Sequence, residues 1–145
     1  MPEKARLEDS DYERLLEFRS GLRTFLKWSK DQAARAGLAP SQHQLLLAIR
    51  GHPDQRRGPT VGEVADYLLI KPHTAGELAT RAARAQLVVR IEDPDDKRVV
   101  RLRLTKQGQK KIESITEATL EELNRLGPRL RGVWDGLAPE RRRPS

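Results

Sequence analysis

A mainly α-helical chain with one small β-hairpin, an α+β arrangement, is the fold class the sequence predicts, and three observations carry it. Apolar residues recur at spacings of three and four along most of the length, which is the period of a helix with one buried side. The exception is Leu87–Thr105, where Leu87-Val88-Val89-Arg90-Ile91-Glu92 and Val99-Val100-Arg101-Leu102-Arg103-Leu104 flank the polar turn Asp93-Pro94-Asp95-Asp96-Lys97-Arg98. Just ahead of that hairpin lie two short helical patterns, Thr60–Leu69 and Pro72–Gln86, joined by a tight connection. Helix, turn, helix and charged hairpin together make a winged helix-turn-helix, an arrangement suited to gripping DNA.

The first element runs from Asp11 to Ala36, with Leu15, Phe18, Leu22, Phe25, Leu26 and Ala33 on one side. Ser10 and Glu13 have the spacing of a capping box, and Gly37 is the residue type expected just past a helix end. A helix about 39 Å long (~1.5 Å per residue) at the edge of a small domain needs something to pack on, and a partner subunit is the simplest answer. Pro40 opens the next helix with a Ser41–Gln44 box, and Leu45, Leu46, Ala48 and Ile49 form its buried side. Residues 51–59 form a polar loop bounded by glycine and proline, with Arg56 and Arg57 exposed. Thr60 and Glu63 make a third box, ahead of the stripe Val61, Val64, Ala65, Leu68 and Leu69. Pro72 then suits the first position of the following helix. In that helix Ala75, Leu78, Ala79 and Ala82 point inward, while His73, Gly76, Glu77, Thr80 and Arg84 share the outward face. After the hairpin, Thr105 caps a long helix to about Leu126, where Gly127-Pro128 breaks it. One more short helix, carrying Leu130, Val133, Trp134 and Leu137, precedes the basic tail Arg141-Arg142-Arg143.

Composition narrows the function classes. The 145 residues suffice for one core plus an arm or two, and 37% hydrophobic against 34% charged residues suits a helical protein that buries more surface by dimerising. A net charge of +7 favours an anionic partner. No apolar run approaches the roughly 18–20 residues of a spanning helix, and Met1–Asp11 lacks the apolar core of a signal peptide, so a cytoplasmic location away from the membrane is expected. With no cysteine, thiolate metal sites, cysteine nucleophiles and thiol switches are excluded. His43, His52 and His73 lack metal-ligand spacing, and no catalytic constellation or cofactor motif is recognisable, so no enzyme, metal or cofactor is expected.

The chemistry concentrates in the hairpin. Between Lys97 and Lys111 there are seven cations and no acid. Strand alternation points Val100, Leu102 and Leu104 inward and leaves Arg101 and Arg103 outside as candidate phosphate contacts. A solvated basic face is the bland reading, but the run's position directly after a helix-turn-helix favours DNA contact.

These residues resemble the MarR family of winged-helix transcriptional regulators. Asp96-Lys97-Arg98 followed by Leu104-Thr105 and Gly108 looks like the family's wing signature, D-x-R with a trailing L-T-x-x-G. The likeness extends through Leu87-Val88-Val89-Arg90, Thr74, Leu78, Arg81 and Glu63-Val64-Ala65 to Leu38-Ala39-Pro40-Ser41-Gln42, covering about Leu38 to Ile115. It implies a two-fold dimer whose terminal helices interleave, with a recognition helix in a major groove and a wing at the minor groove of each half-site, about 34 Å apart. By similarity Arg98 is the wing-tip arginine and Asp96 the acid that orients it, with Lys97 beside them. Lys71 suits a phosphate at the helix entry, His73 and Thr74 reach base edges, and Gly76 permits close backbone approach. Glu77 stands where the family more often has a cation or small polar group. It either accepts from cytosine N4 or pairs with Arg81 or Arg84, and the pairing is preferred. Gln86 stands where glycine is usual. A small aromatic or anionic effector is implied where dimerisation helices meet the DNA-binding lobe, with Trp28, His43 and Tyr67 as candidates, although each has an ordinary packing role.

The expected organisation is therefore residues 1–37 as a dimerisation helix, 38–105 as the DNA-binding lobe and 106–145 as a second dimerisation helix with a basic tail. The expected function is a homodimeric, sequence-specific regulator of double-stranded DNA, most simply a repressor at a pseudo-palindromic operator. A nonspecific nucleoid-type binder and a winged-helix protein-interaction module are the alternatives.

Overall fold

The computed structural model describes residues 6–137. In chain order these form α1 (Asp9–Arg35), α2 (Pro40–Arg50), α3 (Val61–Leu68), α4 (Pro72–Arg84), β1 (Val88–Glu92), β2 (Val100–Leu104) and α5 (Lys106–Leu137). Two compact units result, Lys30–Glu117 and the described parts of Met1–Ser29 with Ala118–Ser145. The basic tail Arg141-Arg142-Arg143 lies outside the described residues.

Local hydrogen bonding sets where the helices begin. At α3 the Thr60 hydroxyl accepts from the Glu63 N–H (3.0 Å) and the Glu63 carboxylate accepts from the Thr60 N–H (3.1 Å), the box the spacing predicts. Thr105 caps α5 by accepting from the Gly108 N–H at 3.0 Å. The other two boxes are displaced. Helix α1 starts at Asp9, so Ser10 is inside it, and the Asp11 carboxylate accepts from the Glu8 N–H at 2.9 Å. An acid in the first turn also complements the helix dipole. Helix α2 starts at Pro40, whose fixed φ and missing N–H suit the first helical position, and Gln42 rather than Gln44 reaches back to the Ala39 N–H at 3.1 Å.

Three helices end the same way. The N–H of Leu38 donates to the Ala33 carbonyl, that of Ile70 to Ala65, and that of Leu87 to Ala82. In each case the preceding residue is left-handed: Gly37 at φ 76°, Leu69 at 55° and Gln86 at 61°. These are Schellman turns, in which the residue past the turn drops back onto the helix. Leu38 and Leu87 are buried and Ile70 packs against the core, so apolar anchoring imposes the turn even where no glycine is present. It also stops α4 at Arg84, two residues short of the sequence expectation.

The core lies in the Lys30–Glu117 unit, where Leu45, Leu46, Leu102 and Ile112 are fully buried, each stabilising by roughly 1.5–3 kcal/mol. Ala75, Ala79 and Ala82 are completely buried along α4, and these small side chains let that helix lie close to its neighbours. Strands β1 and β2 pair antiparallel from Val88↔Leu104 to Glu92↔Val100. The other edge of β2 is also used: the Leu102 N–H donates to the Pro59 carbonyl at 2.9 Å, and Thr60 bridges Arg101. Two close approaches exclude a side chain. A Cβ at Gly58 would lie 2.2 Å from the Leu102 carbonyl oxygen, and one at Gly108 would lie 2.1 Å from that of Leu87.

Gly127-Pro128 does not break the last helix. Helix α5 runs unbroken to Leu137 with Pro128 inside it, although an interior proline removes a hydrogen bond and costs about 3 kcal/mol. Packing against α1 within the flanking unit offsets this. Phe18 meets Trp134 with ring centroids 5.6 Å apart, Leu130 sits over Gly21, and Arg14 donates to the Gly136 carbonyl at 3.1 Å.

Leu69 is 91% exposed, so its side chain contributes nothing to packing while its left-handed backbone is strained. Leu69→Gly is expected to stabilise the protein by about 0.5–1 kcal/mol, the relieved strain less the glycine's added chain entropy. Denaturant titration of the two proteins measures the difference, and a destabilised variant would show that Leu69 makes contacts the structure does not contain.

Candidate nucleic-acid interface

Helix α4 turns its apolar side to the core and its polar side outward, as its spacing requires. His73, Gly76, Glu77, Thr80 and Arg84 line one open groove of about 460 Å³ with Arg81 and Arg90. Lys71 is exposed at the residue just before α4. Thr74 is exposed too but borders a different hollow, lined with Ser41, Gln44 and Ile70 among others. Glu77 pairs with His73 at 3.1 Å, not with Arg81 or Arg84 as expected. The i, i+4 spacing allowed both solutions, and the N-terminal neighbour is the one taken. Both members are largely exposed, so the pair contributes little.

Arg90, which the sequence reading did not single out as a site residue, reaches from β1 onto α4. Its guanidinium donates to the Thr80 hydroxyl at 2.7 Å and to the Gly76 carbonyl at 3.3 Å. The Thr80 hydroxyl itself donates to the Gly76 carbonyl at 3.0 Å, so Thr80 is already engaged. The available signal was strand alternation, which puts Arg90 on the same face as Val88, towards α4.

The hairpin tip is built on carboxylates. Asp96 takes the Arg98 guanidinium at 3.2 and 3.3 Å, one bond to each oxygen, and also accepts the Arg98 N–H at 3.0 Å. The Arg98 side chain is nevertheless 91% exposed, held extended and open. Hydrogen bonding from Arg98 keeps the Asp96 carboxyl below the usual carboxylate range. Lys97 and Arg103 are exposed.

Arg101 departs from expectation. Alternation placed it outside with Arg103, but its side chain is only 18% exposed, with Nε 2.5 Å from Asp93 and a second nitrogen 2.9 Å from the Gly58 carbonyl. Asp93 is buried and also accepts the N–H groups of Asp95 (2.8 Å) and Asp96 (3.2 Å). A buried carboxylate needs a partner, and Arg101 is the cation within reach. Its guanidinium is the main reason that the Asp93 carboxyl sits below its ordinary range.

A second pair braces the lobe. His52 lies 2.7 Å from Glu63, and Asp54 accepts the N–H groups of Arg56 and Arg57 at 3.1 Å, so the loop 51–59 is a folded turn. The other effector candidates stand apart. His43 is half-buried on α2, and burial lowers its pKa. Tyr67 is exposed beside a 300 Å³ apolar groove with Leu47, Ala48 and Leu68. Trp28 stacks on Phe25 in the flanking unit, ring centroids 6.1 Å apart. Among the described residues no group of three or more His, Cys, Asp or Glu side chains could hold a metal ion, and no helix is long and apolar enough to cross a membrane.

Two short helices joined by a tight turn, the second presenting a basic groove beside a charged hairpin, define a winged helix-turn-helix. Residues 36–99 match the family model described as MarR family. It is 28% identical over 81 residues to the HTH-type transcriptional repressor MdtR of Bacillus subtilis, covering 56% of this chain and 50% of MdtR. The chain spans about half the length of the curated relatives it matches. Among solved structures, a MarR family protein from Bacillus stearothermophilus aligns over 83% of both chains at 24% identity and a TM-score of 0.67. The Staphylococcus aureus MepR–DNA complex aligns over 76% of this chain and 78% of MepR at 22% identity and a TM-score of 0.64.

The His52–Glu63 pair gives stability a pH window. Hydrogen bonding to Glu63 raises the His52 pKa above its ordinary 6.5, so its contribution is complete below pH 6.5 and lost as pH rises through the raised value. His52 lowers the Glu63 pKa from 4.5, so that contribution is complete above pH 4.5 and lost as pH falls through the lowered value. The stability difference between the protein and His52→Gln should therefore be largest between those two values and shrink as pH rises through the raised His52 value. Denaturant midpoints across that range measure it, and a pH-independent difference would remove the ionic component.

Proposed function

We propose that this protein is a homodimeric, sequence-specific double-stranded DNA-binding transcriptional regulator that represses from a pseudo-palindromic operator. The observation that carries the reading is Arg98, a guanidinium held extended by Asp96 yet 91% exposed at the tip of a hairpin. A side chain fixed before it binds loses less entropy on reaching a phosphate or a narrow minor groove. Lys97 and Arg103 supply further backbone contacts. In the major groove Lys71 serves a phosphate at the α4 entry, His73, Thr74 and Glu77 face base edges, Gly76 allows close approach, Thr80 lies on the same face, and Arg84 flanks them. The solved DNA complex of MepR, a relative in fold, supports this geometry, and the repressor MdtR supports the sign of regulation.

Dimerisation rests on exposed apolar side chains. Leu15, Leu16, Leu22 and Leu26 on α1, with Leu120 and Trp134 on α5, are open to solvent in one chain. Such a series along two long helices favours a second copy as the cover. In this reading residues 1–37 and 106–145 dimerise and 38–105 contact DNA, in the cytoplasm. For a small aromatic or anionic effector Tyr67 is the best placed of Trp28, His43 and Tyr67, because it edges an apolar groove.

Gel-shift titration against the DNA flanking its own gene, with random duplex as competitor, tests the reading. Preferred binding to the flanking DNA is expected, and equal affinity for both duplexes would leave only a nonspecific binder. Arg98→Ala should weaken binding and lower the salt slope by about one unit per lost phosphate contact. An unchanged affinity and slope would place the hairpin away from the duplex. Sedimentation should give a dimer at micromolar concentration, and a monomer there would remove the two-fold operator.

A further inference from the structure

Arg101 and Asp93 lie just below the hairpin tip, and the interface described above does not use them. Asp93 is the only buried charged residue among the described residues. Its carboxylate gathers three hydrogen bonds, from the N–H groups of Asp95 and Asp96 and from the Arg101 Nε. Arg101 continues the chain of contacts to the Gly58 carbonyl, on the segment that pairs with the second edge of β2. The turn is closed beneath by the Asp93 N–H donating to the Val99 carbonyl at 2.9 Å and the Val99 N–H donating to Asp96 at 3.0 Å. Asp96, which orients Arg98, is thus itself held through its backbone by Asp93.

We propose that Asp93 and Arg101 are positioning residues for duplex binding: they brace the hairpin turn against Gly58 so that Asp96 and Arg98 meet the DNA already ordered, and Arg101 does not itself contact a phosphate. The proposal rests on the DNA-binding reading above. Its basis is geometric, since Arg101 has its Nε and Nη1 committed to a buried carboxylate and a carbonyl and is only 18% exposed, which leaves little of its guanidinium for a phosphate. An unbraced turn would have to be ordered on binding, at an entropic cost that falls on affinity.

The pair makes a prediction opposite in sign to that of simple electrostatics. Asp93→Asn removes a negative charge from the DNA-facing hairpin, and if charge alone mattered binding would tighten. Bracing predicts that it weakens, by about tenfold, with the salt slope unchanged, because no phosphate contact is lost. Arg101→Gln, which keeps the Asp93 backbone bonds and serves if Asp93→Asn folds poorly, should weaken binding in the same way and leave the slope at the wild-type value. Fluorescence-anisotropy titrations of the full chain against its preferred duplex over a series of salt concentrations read both quantities. Nitrogen-15 relaxation of the free proteins supplies a readout that general destabilisation would not move: amide order parameters of residues 95–98 should fall in both variants while those of α2 stay unchanged. Wild-type or tighter binding by Asp93→Asn overturns the proposal, as does a slope lowered by about one unit in Arg101→Gln. Wild-type protein that binds no duplex even at low salt overturns the DNA reading itself and the proposal with it, a result separable from either variant's.

Discussion

Strand β2 has two edges, and the hairpin side of the lobe depends on both being filled. One edge pairs with β1; the other receives Pro59 and Thr60, whose next residues begin α3. Leu102, fully buried at the centre of β2, ties the strand to the core between them. The helix-turn-helix and the hairpin are thereby built on one strand. Gly58 is obligatory there, because the chain passes too close to the Leu102 carbonyl for any side chain. The His52–Glu63 pair secures the same crossing from the loop side, and Glu63 also closes the box that starts α3.

Commitment, more than charge count, sorts the cations. Arg101 is spent on Asp93 and Gly58, and Arg90 on Thr80 and Gly76. The carboxylates of Asp93, Glu63 and Asp54 all favour the charged form of Arg101, Asp93 most strongly. Both arginines act inside the protein, one bracing the hairpin and the other fastening it to α4. Arg98, Lys97, Arg103 and Arg84 keep their charged ends exposed, and a polyanion would meet those. A net charge of +7 therefore overstates the freely available positive surface near the hairpin.

The fold was legible wherever one local rule acted alone. Thr60, Glu63, Pro72 and Thr105 announced helix starts, and the inward stripe of α4 was correct residue by residue. Errors arose where two rules competed. At α2 both Ser41 and the Ala39–Pro40 step offered a cap, and the proline's pre-set φ prevailed. At Gly127-Pro128 composition argued for a break, but packing of Phe18, Gly21 and Arg14 against the far side of that step carried the helix through. At the hairpin, alternation correctly put Leu102 inside and Arg103 outside, but period two says nothing about a long side chain that can fold back to a buried acid. Asp96 and Arg98 were readable because two residues of separation suffice for their contact; Asp93 and Arg101 lie eight apart and meet only once the strands have paired.

The same contrast separates affinity from selectivity across the interface. If it meets DNA as proposed, a hairpin ordered in advance would return most of its electrostatic gain as binding free energy, whatever the base sequence beneath it. Helix α4 is different under the proposed reading, because Glu77 would bring an acid towards the phosphate backbone with only the exposed His73 beside it. The exposed His73 contact is easily released, whereas a carboxylate accepting from cytosine N4 would gain a base-specific hydrogen bond. Only a base that offers an amino donor there would recover the loss; any other would leave the groove with an uncompensated negative charge. In the DNA-bound arrangement proposed above, Glu77 would lower the affinity of α4 for DNA in general and raise its ability to tell one duplex from another, while the braced hairpin would make up the difference.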